Sequence, residues 1–302
     1  MQVSTNQFYS NAGSLMQQLS GQADKLNTQI STTKKFSAPS DDVVAYQRLT
    51  TIKQASADAT SFGSNITLAQ SLLDQADTTL GSVDTQLQRA SELAVTANSG
   101  TLNDSDRQAI ATELQGILTS VVALANTRDA RGQALFGAAT GDGAVTQAAD
   151  GSVTFNGTGN PASIPVADGV TIQPTESAAR VFGGIPTAGG GTTDVFAALQ
   201  GMITALHDND TTAIAGASDT MAAAVNQIGA MRGSLGARST RLDLQANQAT
   251  DAATAREATR SSLEDTDVTT AITQLQKTMT ILQATQASFT KLSSLSLFDY
   301  LK

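Results

Sequence analysis

The chain has 302 residues, with 18 basic and 27 acidic side chains, a net charge of −9, 4% aromatics, no tryptophan and no cysteine. That balance offers no cationic footprint for nucleic-acid phosphates or for anionic membrane surfaces, and it excludes disulfides, thiolate nucleophiles and Cys-based metal sites. So few aromatics point away from one large globular core and toward long helices that meet along narrow seams of small and medium apolar residues.

No apolar run in the sequence approaches the roughly 20 residues of a membrane span. Met1 to Ser20 lacks a basic stretch followed by an apolar one, so a cleaved secretion signal is not expected. The first element is a stripe of Phe8, Ala12, Leu15, Leu19, Leu26 and Ile30, ending before Pro39. In Pro39-Ser40-Asp41-Asp42, Ser40 or Asp41 is expected to cap the next helix, the acidic side chains complementing its N-terminal dipole.

From Ile52 the apolar positions Ala55, Ala59, Phe62, Ile66, Ala69, Leu73, Ala76, Leu80, Val83, Leu87, Ala90, Ala94 and Ala97 follow at gaps of three and four without a slip. This is the a/d pattern of a coiled coil, on a helix roughly 70 Å long. Asn98-Ser99-Gly100 reads as a stop and Asn103 to Asp106 as a new start, followed by a helix carrying Ile110, Leu114, Ile117, Val121 and Leu124.

From Gly137 to about Gly191 the chain is rich in Gly, Ala and Pro, and Arg180 is its one basic residue. Ser152 to Gly157 and Val170 to Gln173 alternate as short strands, so this stretch reads as a small β-rich insert. Because it interrupts the heptads, it is expected to be removable between Gly141 and Gly184 at small loop-closure cost. A second series, Ile214, Ala217, Met221, Ala224, Ile228, Met231 and Leu235, fades through Arg238, Leu242, Gln245, Ala249 and Ala252. A last stripe of Val268, Ile272, Leu275, Met279, Leu282 and Phe289 precedes the C-terminus. The two terminal stripes are too narrow to stand alone in water, and each is the expected partner of the other.

The opening Val3-Ser4-Thr5-Asn6-Gln7-Phe8-Tyr9 and the Ala38-Pro39-Ser40-Asp41-Asp42 turn resemble hook–filament junction proteins of the flagellin superfamily, although Val43 stands where that family usually has Pro. Ser91-Glu92-Leu93-Ala94-Val95, Leu124-Ala125-Asn126-Thr127-Arg128-Asp129, and Leu263-Glu264-Asp265-Thr266-Asp267 are similar to successive family stretches in the same order. The ending Leu292 to Leu301 resembles the junction protein more than filament flagellin. The resemblance covers roughly residues 1–137 and 195–302. It implies a subunit of the flagellar axis, located outside the cell and exported through the flagellar type III apparatus without signal cleavage. Its implied partners are further copies in a ring or tubular layer, a neighbouring hook-associated protein, flagellin and an export chaperone, with no nucleic acid and no membrane.

His207, beside Leu206, Asp208, Asn209 and Asp210, is the single histidine and reads as a solvated helix end rather than a metal ligand. The glycines at 137, 141, 143, 151, 157 and 159 do not match phosphate-loop spacing and read as turn residues. Arg238, at a seam position, either snorkels or pairs with an acidic group on a neighbouring helix or subunit. No catalytic, cofactor or metal constellation is found, so no enzyme and no cofactor are expected.

The expected fold is mainly α: a long coiled-coil helical bundle from both halves of the chain, with the small β-rich insert in the middle. Three domains are expected: residues 1–40 with 265–302 as a terminal coiled coil, 41–137 with 192–264 as a long-helix bundle, and 138–191 as the outer insert. The assembly interface is expected on Leu15, Leu19, Leu26, Ile30, Ile272, Leu275, Met279, Leu282, Phe289 and Leu297. The alternatives are filament flagellin on the same scaffold and a soluble signalling coiled coil.

Overall fold

A computed structural model describes residues 2–99, 102–140, 143–187 and 189–299, with side chains described from residue 7 to residue 291. In chain order the elements are α1 (Gln2–Thr32), α2 (Val43–Ala97), α3 (Asp104–Ala125), β1 (Val145–Gln147), β2 (Val153–Phe155), β3 (Ile164–Ala167), β4 (Val170–Ile172), α4 (Ala178–Phe182), β5 (Ile185–Pro186), β6 (Thr192–Thr193), α5 (Val195–His207), α6 (Thr211–Glu264) and α7 (Val268–Asp299). The chain forms two compact units, one from residues 1–58 and 251–302, the other from residues 59–250.

In the larger unit the heptad positions from Ile66 to Ala97 are all buried, and Leu80, Val83, Leu87 and Ala90 are fully enclosed. On α6 the positions Ile214, Met221, Ala224, Ile228, Leu235 and Leu242 are buried. A narrow seam suffices here because α3 and α5 bring further apolar faces to the same core. α3 starts with a capping box: Asn103 accepts from the Asp106 N–H at 2.9 Å, and the Asp106 carboxylate accepts from the Asn103 N–H at 3.2 Å. Asp194 caps α5 through the Ala197 N–H at 2.9 Å. With 22 residues, α3 is long and apolar enough to cross a membrane by composition, which corrects the expectation that no segment reaches that length. Its apolar face is spent on Ile110, Leu114, Ile117, Leu118 and Val121, all buried in the shared core.

The expected β-rich insert is present as three antiparallel hairpins, β1–β2, β3–β4 and β5–β6. Both sequence-read strands exist, as β2 and β4; their partners β1 and β3 were not read, and Pro165 inside β3 argues against a strand there. The insert is not a detachable appendage, however. Phe182 is fully buried 5.8 Å from Phe136 and 5.3 Å from Phe196, ring to ring, and Phe155 lies 6.0 Å from Phe196. A deletion between Gly141 and Gly184 would therefore cost more than loop closure, because it would take Phe155 and Phe182 out of the core that α5 completes.

In the smaller unit α1 and α7 pack against each other. Among its described residues Ala23, Leu26, Ala45, Leu49 and Ala271 are buried and apolar. α2 begins at Val43, and its cap is Asp42, whose carboxylate accepts the Ala45 N–H at 2.9 Å. Ser40 and Asp41 were the expected caps. Asp41 instead turns back to accept the N–H groups of Ser37 (2.9 Å) and Ala38 (3.1 Å), while Lys25 lies 3.2 Å away.

Candidate assembly interface

The smaller unit is where the chain displays apolar surface beyond what it uses internally. Along α1, burial returns at Ala12, Met16, Leu19, Ala23, Leu26 and Ile30; along α7, at Ala271, Leu275, Thr278, Leu282, Thr285 and Phe289. Both series alternate gaps of three and four, the spacing that keeps one face of each helix on its partner. The two helices run antiparallel: Tyr9 meets Phe289 edge to face at 5.3 Å, whereas Lys34 at the other end bridges to Asp265.

Of the ten sequence-predicted interface residues, the structure brings Leu19, Leu26, Ile30, Leu275, Leu282 and Phe289 together on this pairing face, where Leu26 is buried and the others are half-buried. Leu15, Ile272 and Met279 lie off that face and are 46%, 41% and 42% exposed. Leu297 lies outside the residues whose side chains are described. The expected interface omitted Met16, Ala23, Ala271 and Thr278, which complete the three–four series on this face. A strict three–four count through Leu275 and Leu282 would have found Ala271 and Thr278. Phe8, read on the first stripe but not counted in the expected interface, and Ile281, on neither, are 45% and 42% exposed. Together with Leu15 and Phe289 they line an open groove of about 500 Å³ along the pair.

The helix pair is held at its base by a compact joint. Lys35 donates its N–H to the Glu264 carbonyl at 2.7 Å, and Thr266 donates to the Thr33 carbonyl at 2.9 Å. Thr33 takes a left-handed φ of 58°, which a β-branched residue adopts only at a cost. Beneath these bonds the Glu264 carboxylate is buried between Lys34 at 2.6 Å and Arg260 at 2.7 Å, and the Lys34 hydrogen bond is the leading reason its pKa is lowered. Asp267 caps α7 through the N–H groups of Thr269 (3.1 Å) and Thr270 (3.2 Å). Asp265, two residues earlier, accepts from the Ser261 hydroxyl at 2.5 Å. The Asp41 carboxyl is lowered from 3.8 to about 2, chiefly by the Ser37 and Ala38 N–H groups.

Two residues singled out in the sequence lie in the larger unit. Arg238 does not snorkel: it donates to the Gln173 carbonyl at 2.8 Å and pairs with the buried Glu176 of the same chain. His207 is the exposed last residue of α5. The following turn is anchored where Asn209 donates to Asp104 at 2.8 Å and accepts from the buried Arg107.

This arrangement presents apolar packing surface along the α1–α7 pair. Comparison with known proteins points the same way. Residues 3–140 match the bacterial flagellin N-terminal helical region and residues 219–301 the bacterial flagellin C-terminal helical region, together most of the chain. The chain is 27% identical to flagellar hook-associated protein 3 of Salmonella typhimurium over 316 positions, a match spanning 99% of both proteins. It is 28% identical to the Escherichia coli protein of the same name, over 92% of each chain. In fold it resembles the crystal structure of the flagellar junction protein FlgL from Legionella pneumophila, with a TM-score of 0.58, 16% identity, and coverage of 72% of this chain and 100% of that one. With both helical regions at their own ends, and hook-associated protein 3 matched along nearly the whole length, this chain belongs to the bacterial flagellin family.

Proposed function

We propose that the chain is a structural subunit of the bacterial flagellum, joining the hook to the flagellin filament and carrying out no catalysis. The observation that carries this reading is the match to hook-associated protein 3 over 99% of both chains, which extends through the central insert as well as the helical ends. The mechanism is mechanical coupling. Apolar residues that one chain leaves exposed on α1 and α7 (Phe8, Leu15, Ile272, Met279 and Ile281) are covered by neighbouring subunits, while the α1–α7 face holds each arm together. At roughly 25 cal/mol per Å² of apolar surface removed from water, a few such side chains per subunit supply several kcal/mol of association energy.

The same proposal assigns residues 1–40 with 265–302 to an inner axial layer, 41–137 with 192–264 to the surrounding helical bundle, and 138–191 to the outside. It makes the partners further copies in a ring or tubular layer, an adjacent hook-associated protein, flagellin, and an export chaperone. It places the working protein outside the cell after type III export. Electron microscopy of cells lacking this chain tests the reading: hooks without attached filaments are expected, and filaments attached at normal frequency would exclude the junction role. Filament flagellin, built on the same helical regions, is distinguished by abundance, because a filament subunit would dominate sheared filaments and a junction subunit would be a minor component of them.

A further inference from the structure

We infer that Asn156 is a site of spontaneous deamidation, converted through a cyclic imide into aspartate and isoaspartate. It is the only asparagine in the sequence followed by glycine. A following residue with a side chain shields its own backbone nitrogen from the asparagine amide, and glycine does not. The structure explains why glycine stands there: Gly157 has φ +73°, and a Cβ on it would fall 1.5 Å from the Thr140 carbonyl oxygen. The reactive pair is therefore fixed by packing and cannot be relieved by a larger residue at 157.

The surroundings favour the reaction. Asn156 directly follows β2, its own N–H held by the Ala144 carbonyl at 3.0 Å, while residues 157–160 lie exposed to water. The Thr146 hydroxyl donates to Asn156 Oδ1 at 3.0 Å. That bond draws electron density from Cγ and offers a donor to the oxygen as it becomes anionic, the same electrostatic support that stabilises other tetrahedral intermediates. Among the described residues the Gly157 N–H has no backbone acceptor, and Gly157 itself is exposed.

In the first step the Gly157 nitrogen gives its proton to hydroxide and bonds to Asn156 Cγ. The Cγ–Nδ2 bond then breaks and the nitrogen leaves as ammonia, its added proton coming from water. In the second step water opens the imide at either carbonyl, giving aspartate or isoaspartate. One water is consumed and one ammonia released, and nothing is oxidised or reduced. The product adds a carboxylate to a segment whose one basic residue is Arg180. The isoaspartate form also lengthens the backbone by one methylene between β2 and a glycine seated against Thr140, which loosens the end of the β1–β2 hairpin.

The test uses the purified full chain held in mildly alkaline buffer, with peptide mapping by mass spectrometry and enzymatic methylation to detect isoaspartate. Asn156 is expected to convert before any other asparagine and to give both products. Asn156→Gln should abolish the methylation signal from this peptide. Thr146→Val, at an exposed hairpin position, should slow conversion about tenfold, the effect of losing one hydrogen bond to the reacting oxygen. Conversion of Asn98 or Asn209 while Asn156 keeps its amide would overturn the assignment. So would an unchanged rate in Thr146→Val with the Val145–Phe155 pairing intact by amide exchange.

Discussion

Replacing Arg238 by Met tests how the insert is fastened to α6. Glu176 is 5% exposed and its carboxylate pairs with Arg238, whose guanidinium also donates to the Gln173 carbonyl at 2.8 Å. Removing the guanidinium strands a buried carboxylate, a change that costs about 3–5 kcal/mol when no other cation is near. Arg180 remains 3.5 Å from Glu176, but its side chain is 61% exposed and its attraction is screened by water. The expected cost therefore sits near the lower bound, about 3 kcal/mol, or roughly a hundredfold in a local opening equilibrium. Amide exchange can read this directly, because Ala178 donates to the Phe136 carbonyl at 2.8 Å and Val181 to the Ser177 carbonyl at 3.0 Å. Both protections should fall about a hundredfold in Arg238→Met, a local loss of that size being within the range of sub-global opening. The double variant Arg238→Met with Glu176→Met should recover most of it, since an apolar pair of similar volume needs no desolvation. If the double variant is no better protected than Arg238→Met alone, the stranded-charge reasoning is wrong.

Three other substitutions probe the remaining links. Phe182→Ala should destabilise the larger unit by about 3–5 kcal/mol, measured by chemical unfolding, because the ring is fully buried against Phe136 and Phe196; a cost below about 1 kcal/mol would mean the insert contributes little to that core. Leu282→Asp places a carboxylate on the α1–α7 pairing face and should abolish incorporation into flagella while leaving β1–β6 and α5 folded, and normal filament attachment would refute the pairing role. Asp41 should titrate with a midpoint near 2. Because its folded pKa is depressed, the stability it contributes is complete above its unfolded value of about 3.9 and is lost as pH falls through about 2. The Ser37 amide resonance should follow that titration, and a midpoint near 4 would show that the N–H groups do not hold the carboxylate.

What the sequence determined by itself was periodic or contiguous. The unbroken three–four spacing from Ile66 to Ala97 specified the buried face of α2, because a helix returns the same face at that interval whatever it packs against. Asn103 and Asp106 marked the start of α3 because a capping box is complete within four residues. The flagellin resemblance was legible for a similar reason, its stretches lying in order near both ends of the chain. Other features needed distant parts of the chain to meet. Asp42 rather than Asp41 capped α2 because Asp41 found donors at Ser37 and Ala38, a choice among adjacent acids that local pattern leaves open. Ile272 and Met279 shared a stripe with Leu275 and Leu282 in the sequence, yet the path of α1 decided which of the four were covered. Arg238 could have snorkelled or paired in several directions, and only the course of the chain through Gln173 and Glu176, more than sixty residues away, supplied its acceptors. A helical period is carried by neighbouring backbone bonds, whereas the partner of a buried charge or of an exposed stripe is set by which surfaces the folded chain brings within a few ångströms.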